Sequence, residues 1–261
     1  MTASETGGPV GGAPVSGPVS GPVSGPVSGP VRGSLGGHLG GERLVPAPRQ
    51  ILTDGVYDAV KTLIMNGRIP PSTRVNMDQL ARALEVSATP LREALARLES
   101  EGLVSKEPLR GYSTTPLLSR AEFDDLYELR LLVEPALAAA AAGRVALVDR
   151  RELTEEMARC PDAPAERGDY RTYRALYEHD VRLHDLVARI AGNEVARQAL
   201  RRLHAHLHAF RLHGGNRSGD CTRAEHAVIV EALHRGDPHA AAGAMRAHLE
   251  TARHRSPGFR A

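Results

Sequence analysis

Ser87-Ala88-Thr89-Pro90 constrains this 261-residue chain more than any other short segment, because it fixes where one helix must begin. Proline in a first turn loses no hydrogen bond, since its missing N–H would be unpaired there anyway, and Ser87 is suited to cap the same end. Behind it, Leu91, Leu95 and Leu98 form an apolar stripe that runs to Gly102. Upstream, Ile51, Val56, Ala59, Val60, Leu63 and Ile64 keep helical spacing, and Gly67 is a good terminator. Pro70-Pro71 forces extended chain, and Asn76 or Asp78 can cap a second helix carrying Leu80, Ala83 and Leu84 inward. Glu85-Val86-Ser87 is the turn into the third helix. After Gly102, Leu103-Val104-Ser105 and Gly111-Tyr112-Ser113-Thr114 read as two short strands around Glu107-Pro108-Leu109-Arg110.

This order of elements over residues 49–116 predicts a winged helix-turn-helix with the third helix in the DNA-reading position. The stripe faces the core, so Ala88, Thr89, Arg92, Glu93 and Ala96 point elsewhere, and Arg92 is the best placed to touch DNA. The Arg110-Gly111 tip of the hairpin is placed to reach a groove. The plainer readings are a solvated arginine on an ordinary helix and a simple exposed hairpin. Bulk charge does not choose between them: the whole chain carries +2, and residues 49–115 hold nine Lys/Arg against eight Asp/Glu.

The first 48 residues contribute to no core. Gly17-Pro18-Val19-Ser20 recurs as a four-residue unit through Val31, a composition that predicts a disordered arm. That arm lacks the charged start and continuous apolar run of a secretory signal, and no window nears the roughly 20 apolar residues of a membrane span. Cys160 and Cys221 are far apart and form neither a CxxC pair nor a disulfide framework. A soluble, cytoplasmic protein with no membrane partner is expected.

From Ser119 the pattern is almost purely helical, with breaks at Gly143, Pro161 to Gly168, Gly192, Gly214-Gly215 and Gly236-Asp237-Pro238. About six helices follow, the fifth from near Thr222 to Arg235 and the last from Pro238 to His254. The expected fold class is therefore mainly α: a winged helix-turn-helix, then an all-α antiparallel bundle over residues 119–255. Eleven of the twelve histidines lie between His179 and His254. Asp180 and His184 are four apart and share one helix face, among Leu176, Val181, Leu183, Leu186 and Val187. His226 precedes the apolar run Ala227 to Val230, and His248 sits between Met245 and Leu249. Three neutral imidazole nitrogens and one carboxylate oxygen would suit a borderline divalent ion, Zn²⁺ first, with Ni²⁺ and Mn²⁺ as the other candidates. The bland alternative is satisfied core or surface histidines.

Arg130 and Glu134 are also four apart, and a surface ion pair is their ordinary reading. Pro135 should free the carbonyl of Leu131 and kink the helix around a cavity. His204, His206 and His208 alternate, so they cannot all reach one ion. One of them, or Arg201, Arg202 or Arg211, is a candidate to line the cavity, and the sequence does not decide which.

The segment Arg74-Val75, Leu80-Ala81, Val86-Ser87, Thr89 to Leu95, Arg97-Leu98, Glu101 to Val104 and Arg110-Gly111-Tyr112 resembles the GntR family of bacterial transcription regulators. Asp180 to His184, Asn193, Glu225 to Ile229 with Ala232-Leu233, and Ala247-His248-Leu249 resemble the FCD ligand-binding domain of its FadR subfamily, from about Arg120 to His254. The resemblance implies operator contacts from Ser87, Thr89, Arg92 and Gly111, and a metal held by Asp180, His184, His226 and His248. It also implies that Arg130 pairs with a ligand carboxylate, with Asn193 among the ligand-site residues. Two positions depart from the family: Ala88 stands where most members have Arg, and Ser72 where a turn glycine is usual.

The function so implied is a homodimeric regulator, a repressor in the commonest form, whose grip on a double-stranded DNA operator answers to a small organic acid. Two other readings remain. One is a metal-dependent enzyme fused to a DNA-binding module, against which HExxH is absent and Glu225 points about 100° from His226 on a helix. The other makes the ion itself the signal.

Overall fold

The computed structural model describes residues 48–162, 168–213 and 219–255. The Gly-Pro-Val-Ser repeat, the Gly214-Gly215 break and the side chain of Cys221 lie outside the described residues. Helices α1 (Pro48–Met65), α2 (Met77–Ala83) and α3 (Ala88–Ser100) precede the hairpin β1 (Val104–Glu107) and β2 (Gly111–Thr114). The strands are antiparallel, with Val104 opposite Thr114 and Glu107 opposite Gly111. The first strand thus lies later than Leu103-Val104-Ser105, and α1 begins before Ile51.

The stops and starts follow local chemistry. Gly67 ends α1 with φ +68°, the left-handed conformation that glycine adopts without steric cost. Asn76 caps α2 by accepting from the Gln79 amide at 3.0 Å. Ser87 holds the N-cap position of α3, yet its side chain makes no capping bond. Leu91, Leu95 and Leu98 are fully buried as the stripe requires. On α2 the inward edge is Leu80 with half-buried Ala81 and Leu84, while Ala83 faces solvent; two helical turns meet the core along one narrow edge, and Ala83 falls outside it. Ser72 adopts φ +55°, which accounts for the glycine usual there and costs on the order of 1 kcal/mol in a serine.

Seven helices follow: α4 (Arg120–Ala142), α5 (Leu147–Ala158), α6 (Tyr170–Ala191), α7 (Glu194–Arg202), α8 (Ala205–His213), α9 (Gly219–Arg235) and α10 (Pro238–His254). Helix α4 packs on α10 and α6, and α10 on α9. Leu137, Leu183, Ile229, Leu233, Met245 and Leu249 form the centre of this bundle. Pro135 lies inside α4, which continues to Ala142. The count exceeds the six expected because the predicted fourth helix breaks at His204, whose φ is +47°. No helix among the described residues is long and apolar enough to cross a membrane.

The two halves share a core. Tyr170, Tyr173 and Leu176 of α6 and Leu207 and Phe210 of α8 lie in the same apolar cluster as Val60, Leu98 and Leu103. The Arg211 guanidinium is committed to the winged unit, donating to the Thr115 carbonyl at 2.7 Å and hydroxyl at 2.8 Å. The His204 ring lies against Gly102, where an added Cβ would sit 2.8 Å from His204 Cδ2 with the backbone at φ +74°.

Both features are measurable. Gly102→Ala should lower stability by about 1–2 kcal/mol or more, because it adds a left-handed alanine to a steric overlap; a urea midpoint equal to wild type would contradict this packing. Burial, with Arg211 next in importance, pushes the His208 imidazole down to about 4. The unfolded chain takes up that proton below about 6.5 and the folded chain only near the lower value, so stability should fall as pH drops between them. His208→Leu should flatten the fall, read as urea midpoints at several pH values across that window.

Candidate metal centre and adjoining cavity

Asp180 and His184 project from the middle of α6, His226 from α9 and His248 from α10. All four are buried, and one ligand atom from each lies within 4.8 Å of the others. His184 Nε2 is 3.2 Å from His248 Nε2, and Asp180 Oδ1 is 3.3 Å from His226 Nε2 and 3.8 Å from His184 Nε2. The four residues expected from the sequence are thus brought together.

Hydrogen bonds behind each ring decide what faces inward. His184 Nδ1 bonds Glu134 Oε2, and His248 Nδ1 bonds Glu225 Oε2 at 2.8 Å. His226 Nδ1 is 3.0 Å from His179 Nε2, and His179 Nδ1 is 2.9 Å from Glu156 Oε1. Ionised carboxylates only accept, so His184, His248 and His179 carry their proton on Nδ1. His179 Nε2 then accepts from His226 Nδ1. The network therefore turns three unprotonated Nε2 atoms toward one carboxylate. His226 Nε2 is buried and makes no hydrogen bond. Three lone pairs and a carboxylate oxygen gathered out of water repel one another unless a cation joins them, and this donor set fits Zn²⁺ or a similar ion. Burial lowers the pKa values of His184 and His226 and brings His248 down to about 3, so the rings stay neutral and able to ligate near pH 7.

The outer carboxylates are balanced in turn. Arg130 Nε donates to Glu134 Oε1 at 2.6 Å in a pair that is buried rather than on the surface. Burial alone would raise the Glu134 pKa, but Arg130 and then His184 hold it well below the carboxylate range. Arg130 Nη2 is buried without a hydrogen-bond partner. Arg255 grips Glu225 at 2.6 and 2.9 Å, and Arg182 grips Glu156 with both oxygens at 3.0 Å. His179 and Glu156 escape a reading of spacing, because His179 adjoins Asp180 and belongs to another face. His206, one of the three alternating histidines that the sequence left undecided, bonds Asp180 Oδ2 through its Nδ1 at 2.8 Å.

A cavity of about 660 Å³ adjoins the centre, lined by His184, His206, Arg201 and Arg202 of the bundle and by Lys61, Ser100 and Glu101 of the winged unit. Asn193 is not part of it. That residue is exposed and caps α7, accepting from the Ala196 amide at 3.0 Å; an asparagine just after a helix-ending glycine is as well suited to capping as to a ligand. On the winged unit, Ser87, Thr89 and Arg92 are exposed at the start of α3. Arg92 makes no ion pair among the described residues, whereas Arg97 binds Asp54 and lies 4.1 Å from the Tyr57 ring centre. At the wing, Arg110 pairs with Glu107 at 3.1 Å and Gly111 has φ +85°.

Comparison with known proteins agrees with both halves. Residues 52–113 match the family described as bacterial regulatory proteins, gntR family, and residues 125–251 match the FCD domain. The chain is 37% identical over 78 residues to the uncharacterized HTH-type transcriptional regulator YdhC of Bacillus subtilis, a match that covers 30% of this chain and 34% of YdhC. It therefore spans only about a third of that relative's length. The HTH-type transcriptional repressor RspR of Escherichia coli is 25% identical over 205 residues, 78% of this chain and 88% of RspR. The solved structure of Escherichia coli McbR/YncC superposes with a TM-score of 0.56 at 19% identity, covering 77% of this chain and 94% of that one, which shows a shared fold.

Glu134→Gln tests the arrangement behind His184. Loss of this outer carboxylate should weaken Zn²⁺ affinity by about 10–100-fold, measured by competition with a chromophoric chelator; unchanged affinity would show that Glu134 does not orient a ligand.

Proposed function

Because the chain belongs to the gntR family of bacterial regulatory proteins, a family of DNA-binding regulators and not of enzymes, and carries an FCD domain behind its winged helix, we propose that it is a homodimeric, cytoplasmic transcriptional repressor. It grips a double-stranded DNA operator through α3 and the wing and releases it when a small organic acid binds beside a divalent metal. Asp180, His184, His226 and His248 hold that metal. The observation that carries the reading is the convergence of three buried, unprotonated imidazole nitrogens on one carboxylate.

On DNA, α3 enters the major groove by its first turn. Ser87 and Thr89 reach phosphates, Arg92 offers a guanidinium not otherwise engaged, and Arg110 and Gly111 carry the wing to the backbone. The small net charge of +2 leaves these particular side chains to hold the duplex. Ala88 supplies no charge where relatives have one, which shifts sequence preference onto Arg92. Two-fold pairing of chains matches the two half-sites of a palindromic operator. The repressor sign is supported by the likeness to RspR.

In the bundle, a bound divalent cation supplies a Lewis-acidic position for an anionic oxygen. Arg130 contributes the guanidinium nitrogen that no protein group uses, a donor well shaped for carboxylate. Arg130 is itself buried, beside Tyr127 and Glu134, where its charge is weakly screened.

The decisive experiment is metal analysis of purified protein together with binding to DNA fragments selected in vitro. Wild type should carry about one divalent ion per chain, and His226→Ala little. Arg92→Ala should retain the ion and lose about 1–3 kcal/mol of DNA affinity. Metal-free protein whose melting and DNA binding ignore both chelator and added Zn²⁺ would refute the metal sensor and leave only the DNA-binding half.

A further inference from the structure

We propose that the 660 Å³ cavity is a carboxylate-binding site shared by the two halves of the chain, so that the ligand touches the end of the DNA-reading helix directly. The inference rests on the carboxylate-sensor reading above and adds where the ligand lies and what it contacts.

One side of the cavity is the metal centre itself: His184 lines it, and His206 stands between it and Asp180. Another part of its wall is Lys61, Ser100 and Glu101 of the winged unit. Ser100 is the last residue of α3 and Glu101 is its C-cap. The volume matches sites for molecules well above acetate in size, which run from about 300 to 1,000 Å³. The charges show the class of ligand. Lys61 is taken by Glu101 at 2.7 Å, and Asp185 is taken by Arg197 at 2.9 and 2.7 Å. Arg201 reaches Asp185 only at 3.8 Å, and Arg202 makes no ion pair among the described residues. The uncommitted positive charge of the cavity therefore lies at the end of α7, on a different helix from the three that carry the candidate metal ligands. A molecule with an anionic group at each end, such as a dicarboxylate, satisfies both places. Its body then lies against Ser100 and Glu101, and a carboxylate near Lys61 competes for the ammonium that Glu101 holds. Filling the cavity thus acts on the last turn of α3 without first rearranging a dimer.

The test uses the zinc-loaded full chain with succinate, glutarate and acetate, followed by thermal melting and calorimetry. The chain contains no tryptophan, so Ser100→Trp both plugs the winged side and reports through its indole emission. Succinate or glutarate should raise the wild-type melting temperature and acetate should not. Arg202→Gln should weaken the dicarboxylate about tenfold, the usual size for losing a charged hydrogen bond, with zinc content unchanged. Ser100→Trp, with blue-shifted emission marking a buried indole, should abolish the shift and keep its zinc. Equal dicarboxylate affinity in wild type and Arg202→Gln overturns the shared site while leaving the sensor reading intact, and this outcome decides the matter even where the tryptophan variant does not fold. Acetate acting as well as the dicarboxylates does the same. No response of zinc-loaded wild type to any of the three acids overturns both this inference and the carboxylate reading.

Discussion

Everything in the helical half depends on which imidazole nitrogen keeps its proton. Glu134, Glu225 and the His179–Glu156 pair claim one nitrogen on each of three rings and so turn the other three nitrogens, unprotonated, onto Asp180. Each outer carboxylate is itself held by an arginine: Arg130, Arg255 or Arg182. Helices α4, α5, α6, α9 and α10 each supply a member, so the bundle closes only in the register that completes all three chains of contacts. Buried charges seldom add net stability, since desolvation offsets most of the attraction, and their value here is that they specify one arrangement.

The DNA-reading half economises on charge in a related way. Two of its arginines are paired with acidic neighbours at the surface, Arg97 with Asp54 and against the Tyr57 ring, and Arg110 with Glu107. Lys61 is likewise tied to Glu101 and the Tyr57 hydroxyl. A nearly neutral winged unit is compatible with DNA recognition where orientation and a few side chains, rather than a basic surface, carry the contact.

Much of this was legible in the sequence, and the exceptions share a cause. Pro90 and the Leu91, Leu95, Leu98 stripe defined α3, and the Asp180/His184 spacing found one face of the candidate metal centre, because both depend on neighbours one helical turn away. His226 and His248 stood out only by their apolar neighbours, and the family resemblance strengthened their grouping, since only the closed bundle unites α6, α9 and α10. His179 and Glu156 were hidden for the same reason, since each becomes meaningful through a partner more than twenty residues distant, and the choice of His206 among the alternating histidines needed its distant partner Asp180. Asn193 caps α7, a use that the sequence alone does not distinguish from a ligand contact, because a side chain amide serves a helix end as readily as a ligand. The break at His204 has no glycine or proline to announce it, and it arises where the chain must lay an imidazole against Gly102.

That break leaves α8 as a nine-residue helix, too short to be stable by itself. Its position is set by what it touches: His206 on Asp180, Leu207 and Phe210 in the core beneath Leu98 and Leu103, and Arg211 on the Thr115 carbonyl. A chain built this way is not a pair of interchangeable cassettes. A winged unit grafted from a relative would arrive without the surface that α8 was shaped to fill, and the Asp180 carboxylate would lose its brace along with the lost packing. Exchange of operator specificity between such proteins must therefore proceed by single residues on the exposed face of α3, leaving Gly102, Thr115 and the inner side of the winged unit as they are.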